Sequence, residues 1–118
     1  MSISGATGGG VRVTSANADT DITTVIGAGL TGLLNQLRCV NTDASNNCLY
    51  SVWVLRNGGT QKDAIIGVPS GASAPLAIGG AEEQIDVGMP ILLNVGDKVQ
   101  ARTTVASGLH VTFSLISK

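Results

Sequence analysis

The sequence predicts an all-β fold, an antiparallel β-sandwich or barrel, and three observations predict it. Clusters of turn formers recur about every 8–12 residues, the spacing expected of such folds. The runs between them alternate apolar and polar side chains with period two, most clearly over Leu109–Leu115. No segment after residue 40 has helical periodicity. With 118 residues and no internal repeat, one domain with a single buried core is expected.

Residues 1–10 (MSISGATGGG) read as a flexible N-terminal arm, because three consecutive glycines do not recover their ordering entropy from local contacts. The domain then spans residues 11–118. Val11-Arg12-Val13-Thr14 alternates, Asn17–Asp21 is loop-like, and the Thr/Val-rich run Ile22–Ile26 favours a strand. A strand follows from Leu33, with Leu33, Leu37 and Cys39 facing inward and Gln36 and Arg38 outward. Asn41–Asn47 is a dense turn cluster. The next strand runs from Cys48 to Arg56, with Tyr50, Val52 and Val54 on one face and Leu49, Trp53 and Leu55 on the other. Asn57-Gly58-Gly59 supplies a tight turn.

Shorter strands are expected at Ala64–Val68, stopped by Pro69-Ser70-Gly71, and at Pro75–Ile78, ended by Gly79-Gly80. Glu82–Val87 reads as a brief polar edge and Met89–Leu93 as an apolar strand. Asn94–Asp97 turns the chain into the alternating run Val99–Val105, and Ser107-Gly108 turns it again. In the last strand Leu109, Val111, Phe113 and Leu115 face inward, with His110, Thr112 and Ser114 outward.

Composition limits the function. Charged residues make up 13% and the net charge is -1, against a usual charged share of about 25%. The surface is therefore one of Ser, Thr, Asn and Gly. No basic stripe with interleaved aromatics supports nucleic-acid binding. No apolar run reaches membrane-spanning length, and Met1–Gly10 has no signal-peptide pattern. A soluble protein made in the cytoplasm is expected. A turn at residues 41–46 would bring Cys39 and Cys48 onto paired strands, near enough for a disulfide; in a reducing compartment two small buried thiols are the alternative.

One motif points elsewhere. Gly27-Ala28-Gly29-Leu30-Thr31-Gly32, led by Val25-Ile26, matches the dinucleotide fingerprint, whose glycines admit a pyrophosphate at a helix N-terminus. Leu33, Leu34 and Leu37 would line that helix, and Arg56 would stand where a ribose-binding residue is sought. Residues 57–118 offer no crossover helices for such a fold, and the acidic partner is missing, so the octet reads as a loop between strands. Asn17, Asp19 and Asp21 have alternate calcium-loop spacing, yet Ile22 and Ala28 occupy the required glycine and glutamate positions, leaving a solvated loop. His110 is the single histidine, Gly67–Gly71 around Ser70 is not a nucleophile elbow, and Glu82, Glu83 and Asp86 read as edge-protecting charge. No catalytic, cofactor-binding or metal site is assigned.

From Ile22 onward the order of features resembles small phage virion proteins with a β-sandwich or jelly-roll fold. The residues that carry the resemblance begin with Leu37-Arg38-Cys39-Val40-Asn41 and Val52-Trp53-Val54 with Asn57-Gly58-Gly59. Pro90-Ile91-Leu92-Leu93 with Gly96-Asp97-Lys98-Val99-Gln100-Ala101 follows, and then Gly108-Leu109-His110-Val111-Thr112-Phe113. The resemblance implies a non-enzymatic role on the virion, foremost as a capsid decoration (cement) protein. Its partners would be the major capsid protein and copies of itself, as a homotrimer by analogy with a local threefold on the shell. The alternative is a neck, tail or fibre module that binds a partner protein or host glycan. A glycan site would draw on Tyr50, Trp53 and Phe113, the three aromatic residues of the chain.

Overall fold

The computed structural model describes residues 5–23, 26–43, 46–57, 59–67, 74–76, 82–85 and 90–117. It is all-β, with no helix among the described residues. The strands are β1 (Gly5–Val13), β2 (Thr20–Asp21), β3 (Gly32–Asn41), β4 (Cys48–Leu55) and β5 (Lys62–Ile66). After them come β6 (Ala74–Leu76), β7 (Glu82–Ile85), β8 (Ile91–Leu93), β9 (Lys98–Thr103) and β10 (Leu109–Ser117).

All pairings are antiparallel and fall into two sheets. One runs β1-β10-β3-β7, with β8 beside β3; the other runs β2-β9-β4-β5, with β6 beside β4. β10 occupies the whole of one side of β3, so β7 and β8 lie in line along the other side. β5 and β6 share an edge of β4 in the same way. Counting each split edge as one strand position, the sheets run first-eighth-third-sixth and second-seventh-fourth-fifth. That winding is a jelly roll, in which both sheets keep a hydrophobic face inward.

The core lies between the sheets. Val13, Leu34, Leu37, Cys39, Leu109 and Val111 come from the first sheet; Cys48, Tyr50, Val52, Val54, Val99 and Ala101 from the second. Period-two alternation accounts for most of these positions. The exception is β3, where Leu34 is buried and Leu33 only half-buried, the reverse of the expected face. The register of β3 against β10 shifts between Ser114 and Leu115, so Asn35 is an extra residue. Such a bulge moves everything before it to the opposite face.

Three further expectations are corrected. Gly5–Gly10 is not part of a free arm: it forms most of β1, in unbroken register with β10. The glycines find their cover in the neighbouring strand. A Cβ on Gly9 would stand 2.9 Å from Cζ of Phe113, and one on Gly10 would stand 2.6 Å from Nε2 of His110. Side chains folded across a glycine strand in this way replace the contacts it lacks. Residues 1–4 of the expected arm lie outside the described residues.

Of the expected strand at Ile22–Ile26, the described residues Ile22, Thr23 and Ile26 form no regular ladder, and Thr24 and Val25 lie outside the described residues. β2 ends at Asp21, and both the Ile22 and Thr23 amides donate to the Val99 carbonyl, at 2.8 and 3.3 Å. Ile22 and Thr23 still follow β9 out of ladder register, and Ile22 and Ile26 are buried. Finally, β3 and β4 are not a hairpin. They belong to different sheets, and the turn cluster after Asn41 is an arch between them. Buried Asn41 pins that arch, donating from Nδ2 to the Asn46 carbonyl at 3.0 Å and accepting the Asp43 amide at 2.9 Å.

The turns that sequence marked are present. The Asp97 amide donates to the Asn94 carbonyl at 3.0 Å, and Gly96 takes φ +85° at the third position. The β4–β5 connection closes with the Arg56 amide on the Gln61 carbonyl at 3.0 Å. The expected strand end at Val68 and its stop at Pro69–Gly71 lie outside the described residues, as do Ile78–Gly80 and Asp86–Met89.

Candidate functional site

The fingerprint octet is a β-turn running into a strand. The Leu30 amide donates to the Gly27 carbonyl at 3.1 Å, and Gly29 sits at φ +78°, as the third residue of a type II turn requires. β3 begins at Gly32, so the chain continues extended where the fingerprint needs a helix N-terminus. Gly32 serves packing: a Cβ there would lie 2.8 Å from Ile26 Cδ1 and 3.4 Å from both Leu115 and Leu93. This turn docks on the Asn94–Asp97 turn through Gly96 N–H to Ile26 O at 2.8 Å and Ile26 N–H to Asp97 O at 3.0 Å.

Arg56 belongs to an ion-paired pin beside those turns. Its Nε reaches Asp63 and its Nη1 reaches Asp97, each at 2.7 Å, while Nη1 also donates to the Leu92 carbonyl at 3.1 Å. Asp97, buried, accepts the Asn57 and Asn94 amides at 2.9 and 2.8 Å. Burial alone would raise its carboxyl, but those amides and the Arg56 guanidinium outweigh burial and hold it below the ordinary carboxylate range. The arrangement ties the β4–β5 turn to the β8–β9 turn.

A second polar cluster covers the outer face of the second sheet. Trp53 alternates away from the core yet is fully buried. Its indole N–H donates to Gln100 Oε1 at 3.1 Å, and the Lys62 ammonium stands 4.8 Å from the ring centroid. Lys62 pairs with Asp19 at 2.7 Å, Arg102 with Asp19 at 3.2 Å, and Lys98 with Asp21 at 3.0 Å. Gln100 also donates to Asp21 at 2.8 Å. Asp19 and Asp21 therefore strap the β1–β2 connection over the indole, and Asn17, Asp19 and Asp21 are exposed along it, as expected of a solvated loop. Burial works to raise Asp19, but hydrogen bonds from Lys62 and Arg102 overcome it; Asp21 is lowered chiefly by Gln100, then by Lys98.

The concave feature of the first sheet is an open trough of about 340 Å³ lined by Gly9, Gln36, Arg38, Thr112 and Phe113. Gly10, Thr112 and Arg38 stand side by side in the register, as do Gly8, Ser114 and Gln36. Two cross-strand rows, one ending in Arg38 and the other in Gln36, thus flank a backbone floor at Gly9 and Phe113. Arg38 is the one charged side chain lining it. The trough offers hydrogen bonds and close backbone approach.

The remaining candidates disperse. Cys39 and Cys48 are both buried thiols and not bonded to each other. Burial pushes the Cys48 thiol up against a lowering hydrogen bond with Thr103, with the Asp43 charge adding to the rise. His110 is half-buried over Gly10. Glu82 and Glu83 lie in β7 at a sheet edge, whereas Ser70 and Asp86 lie outside the described residues. Tyr50 and Trp53 are fully buried, whereas Phe113 is partly buried, packing against the core and lining the trough. Among the described residues, no three His, Cys, Asp or Glu side chains gather as a metal site. Sequence reasoning passed over the pairs Arg38–Thr112 and Gln36–Ser114, because their adjacency is set by β10 lying beside β3.

Fold and site together define a jelly-roll β-sandwich with a shallow polar trough on one outer face. Comparison with protein-family models, curated proteins and solved structures gives no match.

Proposed function

We propose that the chain is a non-enzymatic virion protein, a capsid decoration (cement) protein that binds the outer shell and clamps adjacent capsid subunits. The observation that carries this reading is the outer face of the β1–β10–β3 sheet. Its centre is an open trough of glycine, hydroxyl and amide groups with Arg38 at its wall, and the same face carries Arg12, His110 and Val40 toward one end and Ile116 and Leu33 toward the other. Such a surface loses little hydration when covered over a wide area, because few charges are stripped of water. The opposite sheet supports the same reading: Lys62 and Arg102 share Asp19 and Lys98 pairs with Asp21, so each of these charges has a partner in place. A clamp of this kind stabilises a shell by mass action, binding the assembled state and not the dissociated one. Jelly rolls host many activities, so the assignment rests on the face and its chemistry and on the sequence resemblance, not on the fold alone.

The experiment is addition of the purified protein to undecorated capsids. Saturable binding with a raised capsid melting temperature is expected, and Arg38→Glu with Thr112→Lys abolishes both. A protein that neither binds nor stabilises such shells, and is missing from purified virions, has another role.

A further inference from the structure

A jelly roll has four sheet edges, and three of them are blunted here. β2 is two residues long. The β5–β6 edge is broken into two short strands, with a register shift opposite Val52/Trp53 and a proline, Pro75, in β6. The β7–β8 edge consists of a four-residue strand carrying Glu82 and Glu83, followed by a three-residue one. Short strands, prolines, charges and irregularities are the devices by which edges resist pairing. β1 has only one of them, a single charge. It is nine residues long, in unbroken register with β10, without proline or acid, and its single charge is Arg12. Among the described residues nothing pairs with its other side.

We propose that the free edge of β1 is the docking site for a second copy of this chain, the two β1 strands pairing antiparallel about a two-fold axis at Gly9. The sequence of β1 is self-complementary in that register. Gly5 falls opposite Val13 of the second copy, Ala6 opposite Arg12, Thr7 opposite Val11, and Gly8 opposite Gly10. Odd positions meet odd positions, so the face that carries Val11 and Val13 toward the core continues across the junction without a one-residue slip. Each Arg12 meets an alanine, so like charges never stand directly opposite. The glycines fall at the axis, where no side chain of either copy stands in the way of pairing. A two-fold contact of this kind uses up both edges and closes at the dimer, without propagating into a fibre. The proposal is independent of the virion reading, since the dimer requires no capsid.

Sedimentation equilibrium of the full chain across the micromolar range tests it. A reversible monomer–dimer equilibrium is expected. Ala6→Lys sets a cation opposite Arg12 of the second copy and weakens the dimer at least tenfold. Adding Arg12→Glu to that variant restores the dimer, a rescue that a folding defect would not give. Trp53 fluorescence reports the fold of each variant. A monomer throughout the range, a trimer, or a dimer indifferent to Ala6→Lys overturns the proposal.

Discussion

Trp53 and Gln100 hold each other on the side of the β9–β4 pair turned away from the core. The indole N–H donates to the Gln100 side-chain oxygen at 3.1 Å, and both residues are buried. Gln100→Ala removes that acceptor and leaves the indole N–H unsatisfied, which costs about 1–3 kcal/mol. Trp53→Ala empties the site and costs about 3–5 kcal/mol. Urea midpoints by circular dichroism check both; a Trp53→Ala loss under 1 kcal/mol would mean the strap does not hold the ring.

Asp19, Asp21 and Asp97 are all held below the ordinary carboxylate range in the folded chain. They therefore bind protons less readily folded than unfolded. The stability they contribute is complete above the unfolded carboxylate value of about 3.9 and is lost as pH falls through it toward the folded values. Urea titrations at pH 7 and pH 3 are expected to show a lower midpoint in acid. Asp97→Asn, which loses charge-assisted bonds to Arg56 and two amides, costs about 1.5–3 kcal/mol at pH 7 and narrows the difference between the two pH values.

The fingerprint glycines form a graded series. Gly27 has no positive φ and only Leu30 at 3.6 Å from an added Cβ, so Gly27→Ala leaves stability near wild type. Gly29→Ala meets no atom but strains a backbone at φ +78°, for about 1 kcal/mol. Gly32→Ala is driven into Ile26, Leu93 and Leu115, for about 1–3 kcal/mol. Thermal unfolding of the three variants gives that order; any other order breaks the packing account of the motif.

Cys39 and Cys48 are expected to resist a thiol reagent in the native protein and to react together once urea unfolds it. Both are fully buried, and burial raises the Cys48 thiol away from its reactive thiolate form. Rapid native labelling of either cysteine is the contrary result.

The strands were legible wherever alternation is local. β4 and β10 are readable from Tyr50-Val52-Val54 and Leu109-Val111-Phe113 alone, and the Asn94–Asp97 turn from its residue types. What escaped sequence depends on partners far along the chain. Alternation places Trp53 opposite the core but does not say what covers it; the cover comes from Asp19, Lys62 and Gln100. Composition marks Gly8-Gly9-Gly10 as mobile, and only the register with β10 shows Phe113 and His110 lying over Gly9 and Gly10. The Asn35 bulge leaves no mark in residue type, since its cause is a mismatch between β3 and β10.

β10 is flanked by β1 on one side and β3 on the other, although it follows both by more than half the chain. The first sheet therefore has no centre until the last of these strands is made. During synthesis β1 and β3 wait with open sides, and the glycines of β1 wait without the rings that lie across them. Closure over such sequence separations is slow compared with local hairpins, since the entropy of bringing the ends together is lost before contacts compensate it. The first sheet is completed by the late insertion of β10, and a chain interrupted before Leu109 is left with two open strand sides, those of β1 and β3.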